Sequence, residues 1–459
     1  MPAKAEQSDH EPIAVAGALP ITLRADANTV QVQLGDGDSI EWSVRPELEI
    51  DRLQIYCNAE APKLVRFGTA TDNLSFLVSG VDYHEFTIET PDGQRAKTAI
   101  ECFPEPVGFK GDYAVSDPSE RDYAEDLNSG VLSDHIEELA RRMIVPGLAV
   151  AVVQDDKLLY NKAFGVENVK DQTAFSSTTW SRLASSSKFL TMLTVLSLAE
   201  EGSISLDAKL GGYVPGLRAD WAHTPLWTML NHTSGIPQIL NNDAFTGLSD
   251  AQRASFSYQD LLETLSDFPL DYENGARFRY QQSAFALIAM IASEQTGKSW
   301  DELVREHILR PAGMEGTSYG DALTRHPQSY NLAKGELISP PYFYPPVLST
   351  GAGYNSDIED LTLLIQALNH GKIVSSEFLR SSIFNPTYLN GDTQGYGLSA
   401  EVKAFGETST LGHSGGGGMA VIRYAPDEKV GIIVLSNREG SQIAPLIADE
   451  ISELLFGER

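Results

Sequence analysis

Apolar and polar positions change rhythm once along this chain. From Ile21 to Phe103 they alternate at period two: Val30, Val32 and Leu34, the turn residues Gly35-Asp36-Gly37-Asp38, then Ile40, Trp42 and Val44. Short strands follow at Leu53 to Cys57, Leu64 to Phe67 and Phe86 to Ile88. Pro91-Asp92-Gly93 then turns the chain into Ala96 to Phe103. No helical period interrupts them, so 21–103 is predicted to be a small antiparallel β domain of sandwich type, preceded by a loose lead-in over 1–20. Residues 104–121 are rich in Pro, Gly and Asp and read as a linker.

Beyond it the period lengthens. A helix capped by Ser133-Asp134 is predicted through Arg142, then strands at 148–153 and 158–164. A long helix is expected from about Ala184 to Glu201, stopped by Gly202, with helix and loop continuing to about Ser318. Strands at 419–424 and 430–435 and a last helix over about 441–456 close the chain. Strands at both ends with helices between them predict one large domain, 122–459, carrying a helical insertion at about 205–330.

Composition narrows the partners. The 459 residues carry 34 Lys+Arg against 63 Asp+Glu, a net charge of −29. Such a field repels phosphate backbones and anionic lipid, so no nucleic-acid partner is expected. No apolar run approaches the ~18 residues that cross a bilayer; Phe285 to Ala292 is among the longest, so no membrane insertion is expected. Met1 to Gln7 lacks a charged segment followed by an apolar one, so a cytoplasmic location is expected, although a processed periplasmic or secreted form would read the same. Two cysteines, Cys57 and Cys102, exclude a disulfide framework and a Cys-based zinc cage and are expected as free thiols. Asn241 to Asp250 has no regular ligand spacing, so no metal and no cofactor are expected.

Three segments can carry chemistry. Ser185 and Lys188 form the chain's one S-x-x-K, and residues three apart share a helix face. The following residues, Phe189, Leu190, Met192, Leu193, Val195, Leu196 and Leu198, make a helix that is apolar all round and therefore buried. Burial would depress the Lys188 pKa and let its amine serve Ser185 as a base. The plainer reading is a capping Ser with a snorkelling Lys. Tyr280, in Phe278-Arg279-Tyr280-Gln281-Gln282, stands at the mouth of an apolar helix and could relay protons if cations lower its pKa; a core Tyr would look alike. Leu411-Gly412-His413-Ser414-Gly415-Gly416-Gly417-Gly418 leads into the strand at 419–424, where glycines allow close backbone approach. Gly412 to Gly416 also fits G-x-S-x-G, but that elbow needs a helix after it and a later His, and no His follows His413.

Taken in order, Ser185-x-x-Lys188, Tyr280 and His413-x-Gly415 resemble the serine β-lactamase and penicillin-binding family. The likeness is greatest to its branch of class C β-lactamases, D-Ala-D-Ala carboxypeptidases, D-aminopeptidases and esterases. Leu230-Asn231-His232-Thr233-Ser234-Gly235, Leu309 to Ser318 and Gly351 to Leu361 resemble flanking segments of that family. The likeness covers about 122–459 and leaves 1–120 outside. It implies an α+β fold, an antiparallel sheet flanked by helices with an all-helical insertion. It also implies roles. Ser185 attacks a carbonyl to give an acyl-enzyme, and Lys188 and Tyr280 move the protons. The backbone N–H groups of Ser185 and Gly416 form an oxyanion hole, and His413, Ser414 and Gly415 line the site.

Two departures inform the substrate. Gln282 replaces the Asn usual in Y-x-N, and its amide, one methylene longer, is expected to contact Lys188 or a substrate amide. His413 replaces the Lys of K-T-G, so a carboxylate would be held less firmly and efficient penicillin hydrolysis is not expected. Tyr342 and Tyr344, between two Pro pairs in 339–346, form either an apolar wall for the acyl group or ordinary loop packing. The expected activity is hydrolysis of an ester or amide in a small molecule or short peptide, an ester in preference. The alternatives are a D-aminopeptidase or D-Ala carboxypeptidase, an acyltransferase using the same intermediate, and a non-catalytic binding protein. A homo-oligomer is compatible with the sequence.

Overall fold

The computed structural model describes the backbone of eight strands between 21 and 104, residue 127, and 130–457 apart from 320–326, 334–335, 341–342 and 390–394. Side chains are described from 127 onward, with 319 and 333 also left out. The expected lead-in, the expected linker beyond Pro104, and the side chains of Cys57 and Cys102 lie outside the described residues. The chain forms two compact units, 1–108 with 332–338, and 109–331 with 339–459.

The first unit holds two four-stranded sheets. One orders β1 (Ile21–Arg24), β7 (Asp82–Glu89), β8 (Arg95–Pro104) and β4 (Asp51–Cys57). The other orders β3 (Asp38–Ser43), β2 (Thr29–Leu34), β5 (Lys63–Gly68) and β6 (Asn73–Val78). The expectation of a purely antiparallel domain is corrected, because β1 with β7 and β4 with β8 run parallel. Period two identifies a strand but not its partner. The sequential pairs β2–β3, β5–β6 and β7–β8 turn back on themselves, while β1 and β4 reach neighbours distant in sequence.

The second unit is built on one eight-stranded sheet. Its antiparallel order is β11 (Thr173–Ala174), β10 (Lys157–Asn168), β9 (Gly147–Gln154), β16 (Val430–Ser436), β15 (Ala420–Ala425), β14 (Thr408–Gly415), β13 (Ala400–Phe405) and β12 (Tyr396–Gly397). Strand β9 lies between β10 and β16, so the two ends of the unit close one sheet around the helices between them. Helices α1 (Val131–Arg142), α2 (Ser187–Glu200), α3 (Ser283–Thr296), α4 (Ile358–Asn369) and α5 (Ile443–Phe456) accompany it. Both α4 and α5 touch β16, which is buried throughout, as a covered strand of Val, Ile and Leu should be. Shorter helices fill 210–312.

Strands β12 and β13 were not expected, and β14 was expected only from the family resemblance, which puts His413 and Gly415 on a strand lining the site. His413 therefore stands inside a strand, and the glycines after it form a turn between two strands. Residues 400–415 are only partly apolar and half-buried along β13, so the period that marks β15 and β16 is weak there.

Candidate active site

The turn that carries Ser185 is clamped on two sides. Ser181–Arg182 pairs with Tyr354–Ser356, and the Leu183 N–H donates to the Tyr354 carbonyl at 3.0 Å. Ala184 then takes φ 44°, a left-handed conformation that costs a non-glycine residue about 1–3 kcal/mol. A single 3-10 turn, Ala184–Ser186, follows, and α2 begins at Ser187. The Ser186 hydroxyl donates to the His413 carbonyl at 2.9 Å, and the Tyr354 N–H donates to Ser187 Oγ at 3.1 Å. The strain at Ala184 is thus held by strands on either side, while Ser185 itself stays partly exposed.

Helix α2 is buried almost entirely, Lys188 included. Its ammonium donates to Gln282 Oε1 at 2.9 Å and to the Gly351 carbonyl at 2.8 Å. It also stands 4.7 Å from the Tyr280 ring centre and 4.9 Å from that of Phe285. Desolvation holds its pKa well below the ordinary lysine value. Gln282, one methylene longer than Asn, reaches Lys188 with its oxygen. The longer side chain is accommodated because Gly351 has no Cβ, which would lie 2.0 Å from Gln282 Oε1.

Tyr280 is 41 % exposed, and Ser185 and Gln282 both act on its hydroxyl. Burial pushes the phenol pKa up and the Glu401 charge adds to this, while the polar side chains of Ser185 and Gln282 oppose it. The condition that neighbouring cations lower its pKa is therefore not met. Tyr280 is a neutral phenol at rest.

The end of β14 passes directly over the Ser185 turn. A Cβ on Gly415 would lie 2.0 Å from the Leu183 carbonyl oxygen, so only glycine permits this approach. Gly416 follows beside Ala184. Ser414 is engaged elsewhere. Its N–H and hydroxyl both donate to Glu401, at 3.1 and 2.9 Å. His413 is buried and bonds the Tyr396 hydroxyl through Nε2 at 2.9 Å. Burial pulls its pKa down to about 4, with Glu401 opposing and Lys188 assisting. Tyr344 is half-buried and packs against the apolar core, whereas Tyr342 lies outside the described residues. Among the described residues no cluster of three or more His, Cys, Asp or Glu is placed to share a metal.

A profile of the family named Beta-lactamase matches residues 132–455. The chain belongs to the beta-lactamase family. Penicillin-binding protein 4* of Bacillus subtilis (strain 168) is 26 % identical over 332 residues, covering 67 % of this chain and 72 % of that protein. Among solved structures, the octameric penicillin-binding protein homologue from Pyrococcus abyssi is 26 % identical with a TM-score of 0.59. That likeness covers 70 % of this chain and 76 % of that one. EstCE1, described as a hydrolase with promiscuous acyltransferase activity, shares the fold at 17 % identity and TM-score 0.59 over 73 % of this chain and 99 % of its own. This beta-lactamase family member is accordingly a serine hydrolase. Among the described residues it has no helix long and apolar enough to cross a membrane.

The beta-lactamase fold brings Ser185, Lys188, Tyr280, Gln282, Gly415 and Gly416 together. Sequence reasoning missed Gly351, Glu401 and Tyr396, and it gave His232 no part in the site. His232 was visible in Leu230 to Gly235; Tyr396, in Gln394-Gly395-Tyr396-Gly397, carried no signal.

Proposed function

We propose that this hydrolase forms an acyl-enzyme on Ser185 and cleaves esters of small acyl groups in preference to amides. The observation that carries the reading is Lys188, desolvated and, among the described residues, hydrogen-bonded to the acceptors Gln282 Oε1 and Gly351 O beside Tyr280. Two of the positions on its nitrogen are held by those acceptors. The third carries either the proton of the ammonium or the lone pair of the amine. As the amine, Lys188 takes the Ser185 proton, directly or through the Tyr280 phenol, while Ser185 Oγ bonds the substrate carbonyl carbon. The N–H groups of Ser185 and Gly416 receive the oxyanion, each worth about 3 kcal/mol. The same proton returns to the leaving alcohol as its bond to carbon breaks, and water then releases the acid.

The preference for a neutral ester rests on His413. A buried imidazole with its pKa near 4 is uncharged at neutral pH, and Glu401 stands 3.8 Å from its Nδ1. A substrate carboxylate meets no cation there, which disfavours penicillins and D-Ala peptides. Acyl transfer to an alcohol uses the same intermediate, and the promiscuous acyltransferase activity of EstCE1 supports keeping it as a second outcome. The octameric relative supports self-association, which light scattering reads directly.

The test is a fluorophosphonate probe and p-nitrophenyl acetate, each beside Ser185→Ala. Labelling and turnover that vanish in the variant are expected; equal turnover by the variant would sink the nucleophile assignment.

A further inference from the structure

Behind Tyr280 and Lys188 runs a chain of hydrogen bonds whose two ends are backbone groups, and those ends make it readable. A backbone N–H only donates and a carbonyl only accepts. At one end the Gln281 N–H donates to His232 Nδ1 at 3.3 Å, so that nitrogen presents a lone pair. A neutral imidazole then carries its proton on Nε2. At the other end His413 Nδ1 lies 2.5 Å from the Ser414 carbonyl oxygen, so Nδ1 carries the proton and Nε2 the lone pair. The Tyr396 hydroxyl stands between the rings, 3.3 Å from His232 Nε2 and 2.9 Å from His413 Nε2. A phenol has a single proton. It accepts from His232 and donates to His413, and each of these donors then has an acceptor, all running from Gln281 towards Ser414.

The frame around this chain is stiff. His232 has φ 63° and is fully buried, and its carbonyl accepts from the Arg279 N–H at 2.9 Å. Its ring lies 4.4 Å from that of Tyr280, 5.1 Å from Phe285 and 4.9 Å from Tyr396.

We propose, resting on the acyl-enzyme reading above, that Tyr396 is a positioning residue: it holds His232 as the Nε2–H tautomer and His413 as the Nδ1–H tautomer, both neutral. The consequence is that no second cation forms beside Lys188 and that the wall against which Tyr280 stacks keeps one orientation. A proton added to His413 Nε2 would turn that acceptor into a donor. Tyr396 would then face a donor on each side, with its own hydrogen left unpaired in a buried place.

The charged groups around His413 act in both directions. Lys188 on α2 opposes its protonation, whereas Glu401 on β13 favours it. Lys403 on β13 and Arg423 on β15 are each paired with Asp449. His232 and Tyr280 complete the surroundings, and burial depresses the His232 pKa as it does that of His413.

The experiment uses the full chain with isotope-labelled histidine and long-range proton–nitrogen spectra of the imidazoles from about pH 5.5 to about 8. The two rings are assigned with His232→Gln and His413→Gln. Expected are the Nε2–H pattern for His232 and the Nδ1–H pattern for His413, neither titrating in that range. In Tyr396→Phe, His413 loses its single pattern and titrates inside that range, about 1.5 units higher or more, and kcat/KM for p-nitrophenyl acetate falls about tenfold. The opposite tautomer on either ring in the parent, or a Tyr396→Phe protein with unchanged His413 titration or unchanged kcat/KM, overturns the proposal. The parent spectra decide the tautomers even where the variant does not fold. They need no turnover, so a protein that fails to label at Ser185 would defeat the hydrolase reading on separate grounds.

Discussion

Lys188 and His413 are two buried bases in one site, one on α2 and one on β14, and burial lowers the pKa of both. Their partners differ. Lys188 meets two acceptors, an arrangement that serves ammonium and amine alike, so its proton can leave and return without rebuilding the pocket. His413 meets a hydroxyl at one nitrogen and a carbonyl at the other, which suits only one neutral tautomer. On the mechanism proposed above, equal burial thus gives a group that exchanges its proton and a group that does not. The identity of the neighbours, not the depth, sorts them.

Removing the exchanging group should give the largest effect. Lys188→Met keeps the shape of the stem and leaves no buried charge, so folding survives, while kcat/KM for p-nitrophenyl acetate drops about 10³-fold or more. A variant with near-parental turnover would mean that Lys188 is only structural and would end the contrast with His413. A step smaller is the fit between Gln282 and Gly351. In Gly351→Ala the new Cβ lies 2.0 Å from Gln282 Oε1, so the amide is driven off Lys188 and activity falls about 10- to 100-fold. Adding Gln282→Asn withdraws the oxygen by one methylene and should restore most of that loss. If the double variant is worse than Gly351→Ala alone, the two residues do not compensate one another.

These sites show which parts of the molecule the sequence made legible. Helix α2 was readable because its apolar residues run all round, a pattern that only burial permits, and Ser185 with Lys188 sits at its start. Strands β9, β15 and β16 were readable because each is a short run rich in branched apolar residues, and β10, which is more polar, because the turn residues Gln154-Asp155-Asp156-Lys157 lead from β9 into it. By contrast β14, Thr408–Gly415, holds hydroxyl residues, two glycines and a histidine. What makes it a strand is its place between β13 and β15, which is tertiary information. The same holds for Tyr396 and Glu401, whose importance lies in what they face. In the first unit six of the eight strands were legible, β1 and β6 were not picked out, and the parallel pairing could not be read.

The two bases also predict different responses to pH. Because the folded pKa of Lys188 is below the ordinary value, kcat/KM should rise with pH as the ammonium deprotonates, with an acid limb placed below the usual lysine range. His413 acts on stability. Between 6.5 and about 4 the unfolded chain binds a proton that the folded imidazole refuses, so its contribution is present at neutral pH and is lost as pH falls through that window. Urea midpoints at pH 7 and about 4.5 should therefore lie closer together in His413→Gln than in the parent. Parallel pH dependences in the two proteins would show that His413 titrates alike folded and unfolded.

The smallest effect is expected at Glu401, the one charge that favours protonation of His413. Glu401→Gln keeps an oxygen for the Ser414 N–H and an amide for its hydroxyl, so the end of β14 should stay in place. What is lost is a negative charge beside the imidazole. His413 then titrates slightly lower, and turnover of neutral p-nitrophenyl acetate should stay within about twofold. An ester carrying a carboxylate on its acyl chain no longer meets that charge, and its kcat/KM relative to the neutral ester should rise about two- to fivefold. If the ratio does not move, Glu401 lies outside the field that the substrate feels. The discrimination against carboxylates would then rest on the neutrality of His413 alone, and so on the hydroxyl of Tyr396.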